Sequence, residues 1–375
     1  MVVPREVVPG RATAEGTAAY ARRIPAAQGH FRTFRGLALS SIGLGTYLGE
    51  ADGETDETYA AAIRAALAGG VNVVDSAINY RHQRSERAVG AALHAAIVAG
   101  EVRREEVVIA TKGGYMPFDG AAPADPRAYL DATYLNPGLL TAADIAAGGH
   151  SLSPRWLADQ LDRSRANLGV ETIDVYEIHN PETQLRTVTR DDFSRQVRAA
   201  FTYLEQACDA GKIMVYGAAT WSGFRSPPEA RDYLPLTALV GIAEEIGGNA
   251  HRFRVIQAPY NLAMAEAHAL FNQPVARGRV NLFDAARDHG LHVLTSATLL
   301  QGRLAKGLPP ELADYVPGDL TDAQRAVQFA RSTPGAGTAL VGMASPAHAR
   351  EMAGLARVPP LPPEAVRGMF RDEPA

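Results

Sequence analysis

Short apolar runs alternate with longer amphipathic segments along most of the chain. The runs have the length of buried parallel strands, and they are residues 41–47, 71–75, 107–112, 172–179, 213–219, 254–257, 291–296 and 338–342. The helix candidates between and after them are residues 56–68, 85–98, 154–168, 193–210, 235–246, 280–289, 322–331 and 346–355. This order predicts an α/β protein made of eight strand–helix units.

Glycines mark the ends of the predicted helices, because glycine readily takes the left-handed conformation found there. Gly169, Gly211 and Gly290 each follow a helix candidate, and Ser153-Pro154 is typical of an N-cap followed by proline at the first helical position. No predicted strand is followed by the G-x-G-x-x-G pattern of dinucleotide-binding doubly wound sheets. We therefore predict a (β/α)8 TIM barrel and keep the doubly wound sheet as the alternative.

Three segments lie outside the repeating units. We expect residues 1–30 to form a flexible N-terminal arm and residues 359–375 a C-terminal tail, which leaves residues 31–358 as the barrel domain. Residues 31–38 are expected to form a hairpin that closes the bottom of the barrel. Residues 113–152 connect the third strand to the third helix, and their length of about forty residues is typical of functional lids. Because this insertion is rich in aromatic residues, we expect it to cover the substrate.

The composition of this 375-residue chain, 46% hydrophobic and 21% charged, is that of a soluble globular protein. A net charge of −4 gives no electrostatic reason to expect nucleic acid or an anionic membrane as partner. The single cysteine, Cys208, excludes an intrachain disulfide and a cysteine-rich metal site, which fits a reducing compartment. Neither a signal-peptide pattern nor an apolar stretch of about 18 residues is present, so we expect a cytoplasmic protein.

Polar residues occur where the predicted strands end. Asp75, Lys112 and His179 end the second, third and fourth strands, and Tyr80 follows Asp75 by five residues. In a (β/α)8 barrel the carboxyl ends of the strands form the active-site mouth, so these four side chains should converge. Each alone has an ordinary structural interpretation, such as a strand-end cap or a packing tyrosine. Their occurrence together favours a catalytic site.

The four residue types suit the reduction of a carbonyl group. Hydride transfer to a carbonyl requires a proton donor for the developing alkoxide, and Tyr80 is the candidate. Lys112 is expected to lower the pKa of this tyrosine from its ordinary value of about 10, while Asp75 holds the lysine charged. His179 can orient the carbonyl or relay a proton, and the hydride must come from a cofactor.

Motifs spread over the whole barrel resemble the aldo-keto reductase family. The sequence Gly-Gly-Val-Asn-Val-Val-Asp-Ser-Ala-Ile-Asn-Tyr at residues 69–80, followed by Ser85-Glu86, is similar to the signature around the catalytic Asp and Tyr of that family. The other matching segments are residues 43–46, 109–112, 174–182, 257–262 and 339–343. The resemblance extends from about Phe34 to Leu355 and is specific because its motifs are spaced over the whole barrel.

The resemblance implies an NAD(P)(H)-dependent oxidoreductase that transfers a hydride between nicotinamide and a small carbonyl or alcohol substrate. Tyr80 would be the general acid and base, assisted by Lys112, Asp75 and His179. The cofactor contacts that it implies are Gly45, Thr46, Gln257, Ser296, Gln301, Arg303, Gly342, Met343, Ser345 and Arg350.

The predicted cofactor site departs from the family pattern. Ala219-Thr220 stands where relatives often carry Ser-Asn, and Thr295 stands where many carry an aromatic ring against the nicotinamide. Ala344 replaces the usual arginine for the 2′-phosphate, and Met352 replaces the adenine-side asparagine. The residues that could supply the missing contacts are Arg303, His348 and Arg350. We expect NADP(H) as cofactor, with NAD(H) as the alternative and only a modest preference between them.

Two other functions stay open at this point. The barrel could bind a nicotinamide cofactor as a regulatory subunit without significant turnover. Alternatively, it could be a cofactor-independent lyase or isomerase that uses Lys112 as a base or Schiff-base amine. The substrate, the direction of the reaction and the oligomeric state are left open by the sequence.

Overall fold

A closed barrel of eight parallel strands forms the centre of the molecule in a computed structural model that describes residues 6–370. The strands of this part of the chain are β1 (Phe31–Phe34), β2 (Leu37–Ser40), β3 (Ile42–Gly45), β4 (Val73–Asp75), β5 (Val108–Gly113), β6 (Ile173–His179), β7 (Ile213–Ala219), β8 (Phe253–Pro259), β9 (Gln273–Val275), β10 (Gly278–Val280), β11 (His292–Ser296) and β12 (Thr338–Gly342). The barrel closes in the order β11-β12-β3-β4-β5-β6-β7-β8, while β1–β2 and β9–β10 are antiparallel hairpins.

Helices surround the barrel. They are α1 (Ala14–Arg23), α2 (Gly53–Ala68), α3 (Arg84–Val98), α4 (Pro126–Leu130), α5 (Pro154–Leu168), α6 (Arg190–Asp209), α7 (Leu236–Gly247), α8 (Glu266–Ala269), α9 (Leu282–Asp288), α10 (Leu312–Tyr315), α11 (Asp322–Ser332), α12 (Pro346–Gly354) and α13 (Pro363–Gly368). Eight of them, α2, α3, α5, α6, α7, α9, α11 and α12, follow successive barrel strands. The predicted (β/α)8 barrel is therefore confirmed, and the doubly wound alternative is wrong. Across residues 6–370, no helix combines the length and apolar content needed to cross a membrane.

Alternation along the strands separates the barrel interior from the helix layer. Val73 and Val108 face inward, where they pack against Phe34 of the first hairpin. The intervening residues Val74 and Ile109 belong to the larger core between the strands and the helices. The hairpin expected at residues 31–38 is thus present as β1 and β2, and it closes the N-terminal end of the barrel. The polar mouth lies at the other end.

The segment before this hairpin differs from the flexible arm expected for residues 1–30. Helix α1 begins at the N-cap Thr13 and packs on the barrel. Tyr20 is fully buried, and its hydroxyl donates a hydrogen bond to the carbonyl oxygen of Leu67. Burying this aromatic ring favours a docked helix over a free arm. Residues 1–5 lie outside the described residues.

The C-terminal segment, expected as a tail over residues 359–375, is also packed where it is described. Gln328 Nε2 donates to the Pro359 carbonyl oxygen at 2.7 Å, and the Leu361 amide donates to Ser332 Oγ at 2.8 Å. Helix α13 follows, and residues 371–375 lie outside the described residues. The side chains of α11 therefore fix the chain that returns past the barrel.

The long connection between β5 and α5 has a small core of its own. It contains α4 and a helical turn at Asp131–Leu135. Tyr134 and Leu140 pack against Trp156 of α5, and the Trp156 indole N–H donates to the Gly114 carbonyl oxygen at 3.0 Å. The insertion is therefore folded onto α5 through apolar contacts.

Candidate active site

Lys112 and Asp75 form a buried ion pair at the C-terminal mouth of the barrel. The Lys112 Nζ lies 2.6 and 2.7 Å from the two carboxylate oxygens of Asp75 and 2.7 Å from the carbonyl oxygen of Ser76. These bonds use all three N–H donors of an ammonium group. Burial is the largest single effect and lowers the pKa of Lys112, but the acidic groups of Asp75, Tyr80 and Glu177 together outweigh it and hold that pKa above its ordinary value. The lysine is therefore a fixed cation.

Strand alternation places this pair inside the barrel. Val73 and Asp75 are two residues apart on β4, and they pair with Val108 and Ala110 of the adjacent β5, which carries Lys112 at its end. Residues two apart in a strand share a face, so the inward valines predict inward polar ends. Thr46, which follows β3, is buried, and its Oγ1 lies 3.1 Å from the Asp75 carbonyl oxygen. This predicted cofactor residue thus supports the backbone of Asp75.

Tyr80 begins a strained turn, Tyr80–Gln83, that follows β4. Arg81, His82 and Gln83 have φ angles of 48°, 55° and 72°, in a region uncommon for residues other than glycine. Such strain persists only where surrounding contacts over-determine the backbone. One such contact is the ion pair of Arg81 Nη2 with Asp56 Oδ1 at 2.6 Å. The direction of the Tyr80 side chain is therefore set by a braced loop.

The burial of Tyr80 corrects the expectation that Lys112 brings the pKa of this tyrosine below 10. Burial raises the pKa of Tyr80 to about 12, and this effect outweighs the lowering by Lys112. The Lys112 Nζ lies 5.3 Å from the centre of the Tyr80 ring, and its donors are committed to Asp75 and Ser76. The phenol is consequently protonated at neutral pH, which is the state of a proton donor.

His179 ends β6 and lies between two tyrosine rings. Its ring centroid is 5.8 Å from that of Tyr80 and 5.1 Å from that of Tyr115, and both pairs are edge-to-face. Burial lowers the pKa of His179 well below its ordinary value, so the ring is neutral. His150 Nε2 lies 2.7 Å from the His179 carbonyl oxygen, and its Nδ1 lies 2.7 Å from Gln184 Nε2. His150 therefore donates to His179 and accepts from Gln184.

Glu177 belongs to the same site and was missed by sequence reasoning. It lies two residues before His179 on β6, and it is fully buried. Gln257 Nε2 donates to Glu177 Oε2 at 3.3 Å and to Asp75 Oδ1 at 3.2 Å, so this predicted cofactor residue joins two carboxyl groups. Burial raises the pKa of Glu177 to about 8. The signal was present in the sequence, because a residue two positions before an inward histidine must also face inward.

Comparison with known proteins places this site in a family. The sequence model described as the Aldo/keto reductase family matches residues 41–308, a region that contains Asp75, Tyr80, Lys112 and His179. The chain belongs to this family. The resemblance recognised in the sequence motifs is thus confirmed.

Curated relatives of this aldo/keto reductase are distant in sequence. The aldo-keto reductase YhdN of Bacillus subtilis is 26% identical over 276 residues, which are 73% of this chain and 61% of that protein. The 6-dehydroglucose reductase of Novosphingobium aromaticivorans is 26% identical over 189 residues, 50% of this chain and 49% of the relative. The match therefore spans less than two thirds of the length of each of these relatives, 61% of one and 49% of the other.

Solved structures share the fold over nearly the whole chain. An aldo/keto reductase from Klebsiella pneumoniae, crystallised with NADP and acetate, has a TM-score of 0.61 at 19% identity and covers 92% of this chain and 94% of its own. The glycerol dehydrogenase AKR11B4 from Gluconobacter oxydans has a TM-score of 0.62 at 19% identity, with coverage of 91% and 94%. At this identity the likeness shows the fold.

Several predicted cofactor residues of this aldo/keto reductase lie at the mouth. Gly45, Ser296 and Gly342 end β3, β11 and β12. Ser345 is the N-cap of α12, and its hydroxyl oxygen accepts a hydrogen bond from the His348 amide at 3.2 Å. The first turn of a helix has unpaired N–H groups that favour phosphate oxygens. The ends of β11 and β12 thus present a surface suited to a dinucleotide.

Other predicted cofactor residues are placed differently. Gln301 and Arg303 are exposed in a tight turn after β11. Met343 is fully buried in the core, so its side chain is occupied by packing. Arg350 lines a cleft of about 240 Å³ beside Gly69, which precedes β4 and therefore lies at the end opposite the mouth. These positions disagree with the expected cofactor contacts of the two side chains: Met343 is enclosed in the core, and Arg350 lies beyond the first turn of α12, which begins at the mouth and runs away from it.

Buried polar atoms without a partner test whether the site suits a nicotinamide cofactor. Within the described residues, Asn79 Oδ1, His179 Nδ1 and Thr220 Oγ1 make no hydrogen bond. They follow or end β4, β6 and β7, which are strands of the mouth. Buried polar groups normally have partners, so these atoms indicate a place for a polar ligand. The residues present therefore fit a group such as the nicotinamide carboxamide.

Proposed function

We propose that this aldo/keto reductase transfers a hydride between NADP(H) and a small carbonyl or alcohol substrate. The observation that carries the proposal is the buried Asp75–Lys112 pair beside a protonated Tyr80 at the barrel mouth. Support also comes from the Klebsiella structure, which holds NADP, and from curated relatives that are named reductases.

Each of the four predicted residues has a distinct task in this proposal. When bound, the cofactor supplies or accepts the hydride. Tyr80 donates its phenolic proton to the developing alkoxide, and the charge of Lys112 reduces the cost of the transient phenolate. Asp75 holds Lys112 charged and fixed. The neutral ring of His179 hydrogen-bonds the carbonyl oxygen and orients it beside Tyr80.

Residues around the mouth would hold the cofactor. Thr220, with its unpartnered hydroxyl, and Gln257 would bind the nicotinamide carboxamide. Ser296 and the first turn of α12, which starts after Ser345, would bind phosphate oxygens. Arg303 is exposed and makes no ion pair with another residue in 6–370, so it would supply the cation for a 2′-phosphate.

The insertion at residues 113–152 would act as the substrate lid. Tyr115 packs its ring on His179, and its hydroxyl lies 3.1 Å from Thr183 Oγ1. Further along, the Phe118 carbonyl oxygen accepts a hydrogen bond from Gln83 Nε2 at 2.9 Å. The insertion thus contacts both the strand that carries His179 and the loop that carries Tyr80. A lid in this position would exclude water from the reacting carbonyl.

The Schiff-base alternative requires Lys112 as a neutral, nucleophilic amine. The three donors of Lys112 bond to Asp75 and Ser76, and the acidic groups of Asp75, Tyr80 and Glu177 together hold its pKa above the ordinary value. These observations favour a structural cation over a nucleophile. The regulatory alternative predicts cofactor binding without significant turnover, so a measurement of turnover distinguishes it from the proposal.

The test is NADPH oxidation by the purified chain with 4-nitrobenzaldehyde and glyceraldehyde as probes. We expect turnover that falls at least about a hundredfold in Tyr80→Phe, because the proton donor is lost. Binding of NADPH, followed by fluorescence quenching, should persist in this variant. Tyr203→Phe is the matched control, since that hydroxyl lies on α6 and makes no hydrogen bond within the described part of the chain. Turnover in Tyr80→Phe equal to that of the parent would reject the catalytic assignment.

A further inference from the structure

Beneath the mouth, the interior of the barrel contains the carboxyl groups of Asp75 and Glu177 and the amino group of Lys112. Asp75, Lys112 and Glu177 are all buried there, with exposed fractions of 4%, 0% and 0%. The Lys112 ammonium group donates its three hydrogen bonds to Asp75 and Ser76 and makes none to Glu177. One cation therefore already balances one carboxylate. Ionising Glu177 would leave an uncompensated negative charge in a buried site, which is costly.

The contacts of Glu177 agree with a neutral carboxylic acid. Its Oε2 accepts a single, long hydrogen bond from Gln257 Nε2 at 3.3 Å, and its Oε1 is buried and has no hydrogen-bond partner among residues 6–370. A buried carboxylate normally collects several donors, as Glu182 does from the amides of the loop after β7. Glu177 has no such set, so its second oxygen is suited to carry a proton.

The charged and titratable groups that face Glu177 come from the neighbouring barrel strands and the loop after β4. They are Lys112 on β5, Asp75 on β4 and Tyr80 on the loop. On the other side, β7 pairs Gly217 with Glu177, which brings no charge, and β8 contributes the neutral Gln257. Whether Glu177 ionises therefore depends on its electrostatic interactions with these three groups.

We propose that Glu177 is a positioning residue that acts through Tyr80: it is neutral in the resting protein, and its ionisation adds a negative charge that holds Tyr80 protonated. The inference rests on the proposed role of Tyr80 as proton donor. An anion on Glu177 disfavours the phenolate by Coulomb repulsion, and it offsets the lowering that Lys112 exerts on the pKa of Tyr80. The effect keeps the donor in its active form as the pH rises.

The first experiment measures the protonation of Glu177 directly in the apoprotein by infrared spectroscopy. We expect a C=O stretch of a protonated carboxylic acid that disappears as the pH passes about 8 and is absent from Glu177→Gln. Glutamine keeps the carbonyl oxygen that accepts from Gln257. A spectrum of Glu177→Gln that shows no loss of a carboxylic acid band at neutral pH would overturn the proposal.

The second experiment measures the ionisation of Tyr80 from tyrosinate absorbance. The signal is the difference between each protein and its Tyr80→Phe counterpart, which isolates one of the 13 tyrosines. Removing the charge in Glu177→Gln should make Tyr80 ionise at a pH about one unit lower. Glu177→Met should act in the same direction and serves if the glutamine variant does not fold. Ionisation at the parent pH, or at a higher one, contradicts the proposal.

The control is Glu86→Gln, which removes another buried carboxyl group. Glu86 lies on α3 and accepts from Thr111 Oγ1 at 2.6 Å, on the outward face of β5. It should leave the ionisation of Tyr80 unchanged. Neither readout needs cofactor or substrate, so the result does not depend on turnover. A shifted Tyr80 with no aldehyde reduction would reject the proposed function alone, whereas reduction with an unshifted Tyr80 would reject the role of Glu177 alone.

Discussion

The Lys112 ammonium sits 2.6 and 2.7 Å from the two oxygens of the Asp75 carboxylate, and neither group is accessible to solvent to any useful extent. With its third donor on Ser76, the lysine has no hydrogen bond to give to Tyr80. Its influence on the phenol is therefore electrostatic. Asp75 weakens that influence but makes a buried ammonium possible, because an unpaired charge in this place would cost several kcal/mol.

Lys112→Met should leave a folded barrel with a slow chemical step. Loss of the cation raises the cost of the Tyr80 phenolate, and a change of two to three pKa units corresponds to about 10² to 10³ in rate. The measurement is kcat with NADPH and 4-nitrobenzaldehyde, alongside circular dichroism. Lys212→Met is the matched control, since Lys212 precedes β7 and pairs with Asp162 at the surface. Unchanged kcat in a folded Lys112→Met protein would show that the charge is not used.

Asp75→Asn should destabilise the fold more than the double variant Asp75→Asn/Lys112→Met. The single change leaves a buried ammonium without its counter-charge, for which we expect a loss of about 3–5 kcal/mol. Removing both charges removes that penalty, so part of the stability should return. Urea denaturation of the parent, both single variants and the double variant measures the coupling. A double variant that is less stable than Asp75→Asn would contradict the expected compensation.

The barrel and its four polar strand ends could be predicted because they follow from local rules. Runs such as residues 107–112 have strand length, and the carboxyl ends of parallel strands meet at one mouth. The contribution of Glu177 and the actual pKa of Tyr80 could not be predicted in the same way. They depend on how deeply the groups are buried and on which acceptors Lys112 bonds to. Burial and hydrogen-bond partners are both properties of the assembled barrel. The docking of Tyr20 likewise needed a partner, Leu67, that lies far away in sequence.

Glu177 should make the stability of the protein depend on pH. Burial raises its pKa from 4.5 to about 8 in the folded protein. Between these values the folded state holds a proton that the unfolded state has lost, so rising pH favours unfolding. Relative to Glu177→Gln, the parent should lose up to about 1.4 kcal/mol per pH unit across this window and level off above it. Urea denaturation of both proteins between pH 5 and about 9 measures this difference; parallel curves would contradict it.

Ala344→Arg should increase the preference for NADP(H) over NAD(H). Ala344 precedes the N-cap of α12 and stands where the family usually carries the arginine that binds the 2′-phosphate. A charge-assisted pair to a phosphate contributes about 1.5–3 kcal/mol, so the affinity for NADPH should rise about tenfold or more. Affinity for NADH should stay nearly the same and is the internal control. Dissociation constants for NADPH and NADH are measured by fluorescence quenching. An equal rise in affinity for both nucleotides would show that the 2′-phosphate does not bind beside residue 344.

Replacing residues 119–149 with a short Gly/Ser linker should impair the handling of the carbonyl substrate while leaving cofactor affinity nearly unchanged. The insertion reaches the mouth through Tyr115, whose ring packs on His179, whereas the residues proposed to bind the cofactor phosphates lie at the ends of β11 and β12, on the far side of the barrel. Removing the lid should admit water and weaken binding of the aldehyde, so KM should rise or kcat should fall.

The deletion also uncovers Trp156, and circular dichroism must first confirm the fold. Tyr115→Phe avoids that problem, because it removes only the hydroxyl that meets Thr183, and Tyr129→Phe in the same insertion is its matched control. If the shortened, folded protein kept both kinetic constants, the insertion would be a surface feature and not a lid.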